Sequence, residues 1–188
     1  VSHAKRGRHM GTLTLLGISG SLRRQSWNSK LMREAARAFG PARFAEADLR
    51  LPLFDDDLQQ SEGVPEAVQH LADQIRQADA VVIASPEYNQ SLTGVLKNAL
   101  DWVSRVEGKP WSDKPVAIVS AAAGRTGGAR AAYALRLAMM PFRARVLPGP
   151  EVMIAAPARE FDEAGRLTNE RYLASLTELM ADLRKEIS

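Results

Sequence analysis

Five consecutive apolar residues, Ala80-Val81-Val82-Ile83-Ala84, constrain this chain more than any other stretch. A strand alternates its side chains between two faces, so it can be apolar throughout only if both faces are covered; the run predicts a central strand of a helix-covered parallel sheet. Pro86 ends it. The flanking segments keep the same rhythm. Residues 13–19 read as a buried first strand, followed by a helix capped by Ser26 or Asn28 in which Leu31, Met32, Ala35, Ala36 and Phe39 share one face. Residues 42–49 read as a second strand, a polar loop rich in Asp and Gln follows, and Pro65 begins a helix with Val68, Leu71, Ala72 and Ile75 on one side. Further on, 93–105 reads as a helix, 116–120 as the fourth strand and Gly127-Gly128 as the opening of another helix. Residues 144–147 with 152–154 supply a fifth strand, and the last helix buries Leu173, Leu176, Leu179, Met180, Leu183 and Ile187. Five strands alternating with five helices predict an α/β fold, a three-layer sandwich.

At 188 residues, 45% of them hydrophobic, the chain suits one domain with a full core, expected over residues 10–188. Cysteine is absent, which excludes a disulfide framework, a thiolate-held metal centre and a cysteine nucleophile. The formal charge of +3 is misleading as a guide to partners. Lys5, Arg6 and Arg8 lie in the first ten residues, which contain no acid, and the remaining 22 basic side chains face 22 acidic ones. A neutral body gives no nucleic-acid footprint. Residues 1–9 read as an expression leader or mobile tail without the apolar stretch of a secretory signal. No segment reaches the roughly 18–20 apolar residues of a membrane helix, so a cytoplasmic protein with no membrane partner is expected.

In such sandwiches ligands sit beyond the carboxyl ends of the strands, where the strand order reverses. The first of these loops runs Ser19-Gly20-Ser21-Leu22-Arg23-Arg24-Gln25-Ser26-Trp27-Asn28 straight into a helix. It lacks both the dinucleotide glycine fingerprint and the Gly-Lys-Ser/Thr of a P-loop. Its hydroxyls at Ser19, Ser21 and Ser26, the Asn28 amide, the Arg23 guanidinium and a helix N-terminus suit a phosphate dianion. A solvated turn with Ser and Asn as plain caps fits the same residues. The third-strand loop carries Pro86-Glu87-Tyr88-Asn89, a polar and aromatic wall for a flat heteroaromatic ring, although Tyr88 reads equally as half-buried packing. The fourth-strand loop, Ser120-Ala121-Ala122-Ala123-Gly124, is small enough for a planar ligand to lie against backbone, or for a plain flexible turn. Lys97 and Asp101 form a helix-surface ion pair on spacing. His70, the only histidine beyond residue 9, is assigned to solvent, which leaves a Ser-His-acid relay without a base. The run Asp55-Asp56-Asp57 reads as a solvated loop and not a metal site.

Ser-Gly-Ser-Leu-Arg-x-x-Ser-x-Asn at 19–28, Pro-Glu-Tyr-Asn at 86–89, Gly-x-x-Lys-Asn-x-x-Asp-Trp at 94–102 and Gly-Gly-Ala-Arg at 127–130, in this order, resemble the NADPH-dependent FMN reductases, flavodoxin-like quinone, chromate and azo-dye reductases. The resemblance implies a five-stranded parallel sheet of order 2-1-3-4-5 and one non-covalent FMN, with NADPH or NADH as co-substrate. By carry-over Ser21, Arg23, Ser26 and Asn28 hold the phosphate with Ser19 close by. Trp27 would stand beside the ribityl chain; Pro86, Glu87, Tyr88 and Asn89 would line the isoalloxazine, with Ser120, Ala122, Ala123 and Gly124 along its other edge. No catalytic side chain is implied, because the flavin carries the chemistry. Quinones, chromate, azo dyes or free flavin are the implied acceptors, reached by a ping-pong mechanism. Arg130, Tyr133 and Glu151 match positions that join subunits in some relatives, which implies a homodimer or homotetramer. The alternative is a flavodoxin-type electron carrier, which the neutral body disfavours.

Overall fold

The computed structural model describes residues 12–187; the expected leader at 1–9 lies outside them. The chain runs β1 (Thr14–Ser19), α1 (Trp27–Phe39), β2 (Arg43–Glu46), α2 (Asp56–Glu62), α3 (Glu66–Gln77), β3 (Ala80–Ala84), α4 (Gly94–Val103), β4 (Pro115–Ala122), α5 (Ala129–Met139), β5 (Arg145–Val146), β6 (Val152–Ala155) and α6 (Glu170–Lys185). The sheet order is β2-β1-β3-β4-β5, with β6 also on β4 and every pairing parallel. This is the expected flavodoxin-like order.

Every residue of β3 is buried, and its alternation sorts the two cores. Ala80, Val82 and Ala84 join Leu31, Met32, Leu179 and Leu183 of α1 and α6 on one face, while Val81 and Ile83 join Leu71, Ile75, Leu96, Leu100 and Leu135 of α3, α4 and α5 on the other. No helix among the described residues is long and apolar enough to cross a membrane.

Two expectations need correction. The Asp- and Gln-rich segment is not a loop: Asp55 caps α2 by accepting from the Asp57 N–H at 2.9 Å, and Asp56 and Asp57 occupy its first turn, where the helix dipole favours acids. α2 buries no residue, so it lacks the apolar stripe by which a helix is recognised. The fifth strand is two short strands on the same edge of β4, because Pro148 and Pro150 between them lack the N–H a ladder needs.

Trp102 is fully buried, and its indole donates to the Pro52 carbonyl at 2.8 Å while Phe54 packs edge-on at 5.0 Å. The same carbonyl also accepts from the Asn98 amide at 2.9 Å, so Trp102→Phe should lower stability by about 1–2 kcal/mol through one lost hydrogen bond and lost volume, with no acceptor left unpaired; an unshifted urea midpoint would show that this anchor contributes nothing.

Candidate functional site

Three loops leave the carboxyl ends of β1, β3 and β4 and are knitted together. The Gly20 N–H extends the β1–β3 ladder to the Ala84 carbonyl at 2.8 Å. The buried Thr93 hydroxyl donates to the Gly20 carbonyl at 2.7 Å while accepting from the Leu96 N–H at the start of α4. Sequence reasoning missed Thr93 as a site residue; its signal was a hydroxyl residue between the third-strand loop and a helix.

The first loop ends in a helix cap, as expected. Ser26 is buried, and its Oγ accepts from the N–H groups of Asn28 and Ser29. Ser29 donates to Ser19 Oγ at 2.9 Å, and the Arg23 N–H donates to Ser21 Oγ at 3.3 Å. Among the described residues the N–H groups of Leu22, Arg24 and Gln25 have no hydrogen-bond partner, and the exposed Arg23 guanidinium has no ion pair. This rim offers unspent donors and a positive charge above a helix N-terminus. A groove of about 430 Å³ runs beside it, walled by Leu22, Leu51, Pro52, Leu53 and Val95.

The third-strand loop is a two-residue hairpin. Tyr88 and Ser91 exchange main-chain bonds of 3.2 and 3.1 Å across Asn89 and Gln90, which both take positive φ (51° and 64°). Asn tolerates that region; Gln does so only under strain, a feature that clusters at binding sites. Pro86 is buried beneath, and Tyr88 is half exposed at the tip. The Glu87 carboxylate accepts from the Arg130 N–H at 3.1 Å and faces its guanidinium at 3.5 Å, which pins the hairpin to the N-terminus of α5.

The fourth-strand loop exposes Ala123 and Gly124 and half-exposes Ala122. Its return into α5 depends on Gly127 (φ 60°) and Gly128 (φ 95°): a Cβ on Gly127 would lie 2.4 Å from the Met153 backbone, and one on Gly128 only 1.9 Å from Ser120 Oγ.

The rim thus brings together Ser21, Arg23, Glu87, Tyr88, Asn89, Ala122, Ala123 and Gly124, with Ser19, Ser26 and Pro86 beneath them. Three other expected cofactor residues are differently engaged. Ser120 is buried and donates to the Ser85 carbonyl at 2.7 Å, bracing β4 to the third-strand loop. Asn28 is 2% exposed, with both halves of its amide on Ala121. Trp27 packs on Phe161 at 5.5 Å, with the Lys30 ammonium 4.2 Å from its ring centroid. Of the expected interface residues, Tyr133 donates to Glu151 at 2.9 Å, whereas Arg130 pairs with Glu87. The hydrogen bond to the Glu151 carboxylate holds the Tyr133 phenol above its ordinary pKa. Lys97 and Asp101 pair at 2.7 Å, and His70 is exposed, both as expected. No group of three or more metal-ligating side chains occurs among the described residues.

The model of the family described as NADPH-dependent FMN reductase matches residues 13–158. The chain belongs to that family. An NAD(P)H-dependent FMN reductase of Pseudomonas aeruginosa is 46% identical over 161 residues, covering 85% of this chain and 86% of the relative. A quinone reductase of Escherichia coli is 41% identical over 170 residues, 88% and 90% of the two chains. Among solved structures, a flavoenzyme NAD(P)H:(acceptor) oxidoreductase from Paracoccus denitrificans superposes with a TM-score of 0.84 at 31% identity, covering 94% of this chain and 97% of that one. This FMN reductase family member is therefore an oxidoreductase with FMN as cofactor and NAD(P)H as co-substrate. The unspent donors of its first loop fit a phosphate, and its small, flat fourth loop fits the edge of a ring.

Proposed function

We propose that this protein takes a hydride from NAD(P)H by way of FMN and delivers reducing equivalents to small acceptors, quinones foremost, in a ping-pong sequence. The observation that carries the reading is the set of unpartnered N–H groups of Leu22, Arg24 and Gln25, with the Arg23 guanidinium and the Ser21 hydroxyl, over the N-terminus of α1. These groups hold the phosphate, and the dipole of α1 adds to the Arg23 charge. Pro86 to Asn89 and residues 122–124 flank the ring. When bound, FMN would supply a ring able to accept hydride from the nicotinamide. The protein's part is to bind and orient; it supplies no side-chain base, and the exposed His70 lies on α3 outside these loops. One open rim serves co-substrate and acceptor in turn, from which the ping-pong pattern follows. The apolar wall of Leu22, Leu51, Pro52, Leu53 and Val95 suits a quinone ring, while Arg50 and Asn98 on the same groove offer donors to an acceptor's oxygens.

Anaerobic mixing of the FMN-loaded protein with NADPH should bleach its visible absorption directly, and a quinone should restore it. A spectrum that bleaches only when a second reductase is added would instead make the chain a flavodoxin-type carrier.

Self-association into a dimer or tetramer is supported by the surface of α5 and the residue that follows it, where Tyr133, Leu137 and Met140 are 53%, 69% and 72% exposed and spaced four and three residues apart. Arg130 and Glu151 flank this stripe. Leu137→Glu with Met140→Glu should lower the sedimenting mass by at least one subunit equivalent; an unchanged mass would move the contact elsewhere.

A further inference from the structure

Asn28 stands in the first turn of α1, beside the donors proposed for the phosphate, yet its amide is used inside the protein. β3 and β4 pair in register as far as Ala84 and Val119, and the Ser85 N–H adds one more bond to the Val119 carbonyl. The next residue, Pro86, has no N–H, and the third-strand loop turns away. β4 continues to Ala122, so Ala121 keeps an N–H and a C=O with no β3 residue opposite. Asn28 fills that place: its Oδ1 accepts from the Ala121 N–H at 3.0 Å and its Nδ2 donates to the Ala121 carbonyl at 2.8 Å. The side chain imitates one strand residue, and at 2% exposure it offers nothing to the rim.

We propose that Asn28 is a positioning residue which fixes the spacing between the two ends of the flavin site, and not a phosphate ligand; this rests on the FMN reading above. The amide ties the N-terminus of α1, with the donors of residues 21–25, to the end of β4, from which residues 122–124 continue. A phosphate ligand and a spacer differ in their effect on a flavin without a phosphate.

The test measures FMN and riboflavin affinity by fluorescence quenching, with visible circular dichroism of the bound flavin, in the parent, Asn28→Ala and Arg23→Ala proteins. In Asn28→Ala, which loses both bonds to Ala121, riboflavin should bind about fivefold more weakly and the dichroism should change. Arg23→Ala should weaken FMN alone. Riboflavin affinity and dichroism equal to the parent's, whether or not FMN weakens, would overturn the proposal. A parent that binds neither flavin would bring down the cofactor reading and the proposal with it. Should Asn28→Ala fail to fold, the intact protein decides by NMR: the Asn28 side-chain amide protons should exchange slowly and hold their shifts as inorganic phosphate is added. Shifts that follow the phosphate would make Asn28 a ligand.

Discussion

Gly128→Ala is expected to lower the free energy of unfolding by about 3–5 kcal/mol and to empty the flavin site with it. Three costs coincide at this position. Alanine must adopt a φ near 95°, in the left-handed region, and its Cβ would lie 1.9 Å from Ser120 Oγ and 3.0 Å from Ser120 Cβ. Ser120 cannot yield without breaking its 2.7 Å bond to the Ser85 carbonyl, which leaves a buried acceptor unpaired beneath the third-strand loop. The loss would be a large share of the about 5–15 kcal/mol that a domain of this kind possesses. Urea unfolding measures it, and Ser120→Ala identifies the cause. Because removing Oγ abolishes the worst contact, the double variant should be more stable than the sum of the two single effects, by about 1 kcal/mol or more. A Gly128→Ala protein with the parent's midpoint would mean that the turn into α5 has room to move.

Arg23→Ala should weaken FMN binding by about 10- to 100-fold, the range expected when a hydrogen bond to a charged group is lost at an exposed site. The guanidinium has no competing ion pair among the described residues, so its charge is available to the phosphate. Its exposure leaves the attraction open to screening. The FMN dissociation constant of the parent should therefore rise with ionic strength, and this dependence should flatten in the variant. Ser21→Ala removes an uncharged donor to the same charged acceptor and should cost about tenfold, the low end of that range. Fluorescence titration with FMN and with riboflavin checks all three: equal FMN affinity in parent and Arg23→Ala would take the guanidinium out of the phosphate site.

How far the sequence reaches depends on the distance over which each feature is set. The strand at Ala80–Ala84 and the inward faces of α1 and α3 were legible because burial repeats along a strand every two residues and along a helix about every 3.6. Ser26 as a helix cap was legible because a cap is a contact within three residues. α2 was not, since its stability comes from Asp55 and from the packing of Leu58 near Trp102, and neither leaves a periodic trace. Motif order indicated which loops make the rim. It did not distinguish the residues that face the rim from those that brace it.

The sequence alone determined the layers of this protein, because they follow from local period, while the strand order and the loops that meet at one end were implied by the resemblance its motifs carry. Tertiary structure decided where the side chains at that end are engaged. Asn28 faces Ala121 across 93 residues of sequence, Ser120 faces Ser85 across 35, and Arg130 faces Glu87 across 43. A buried polar group takes whichever partner the packed chain brings within reach, and that choice exists only once the layers have closed.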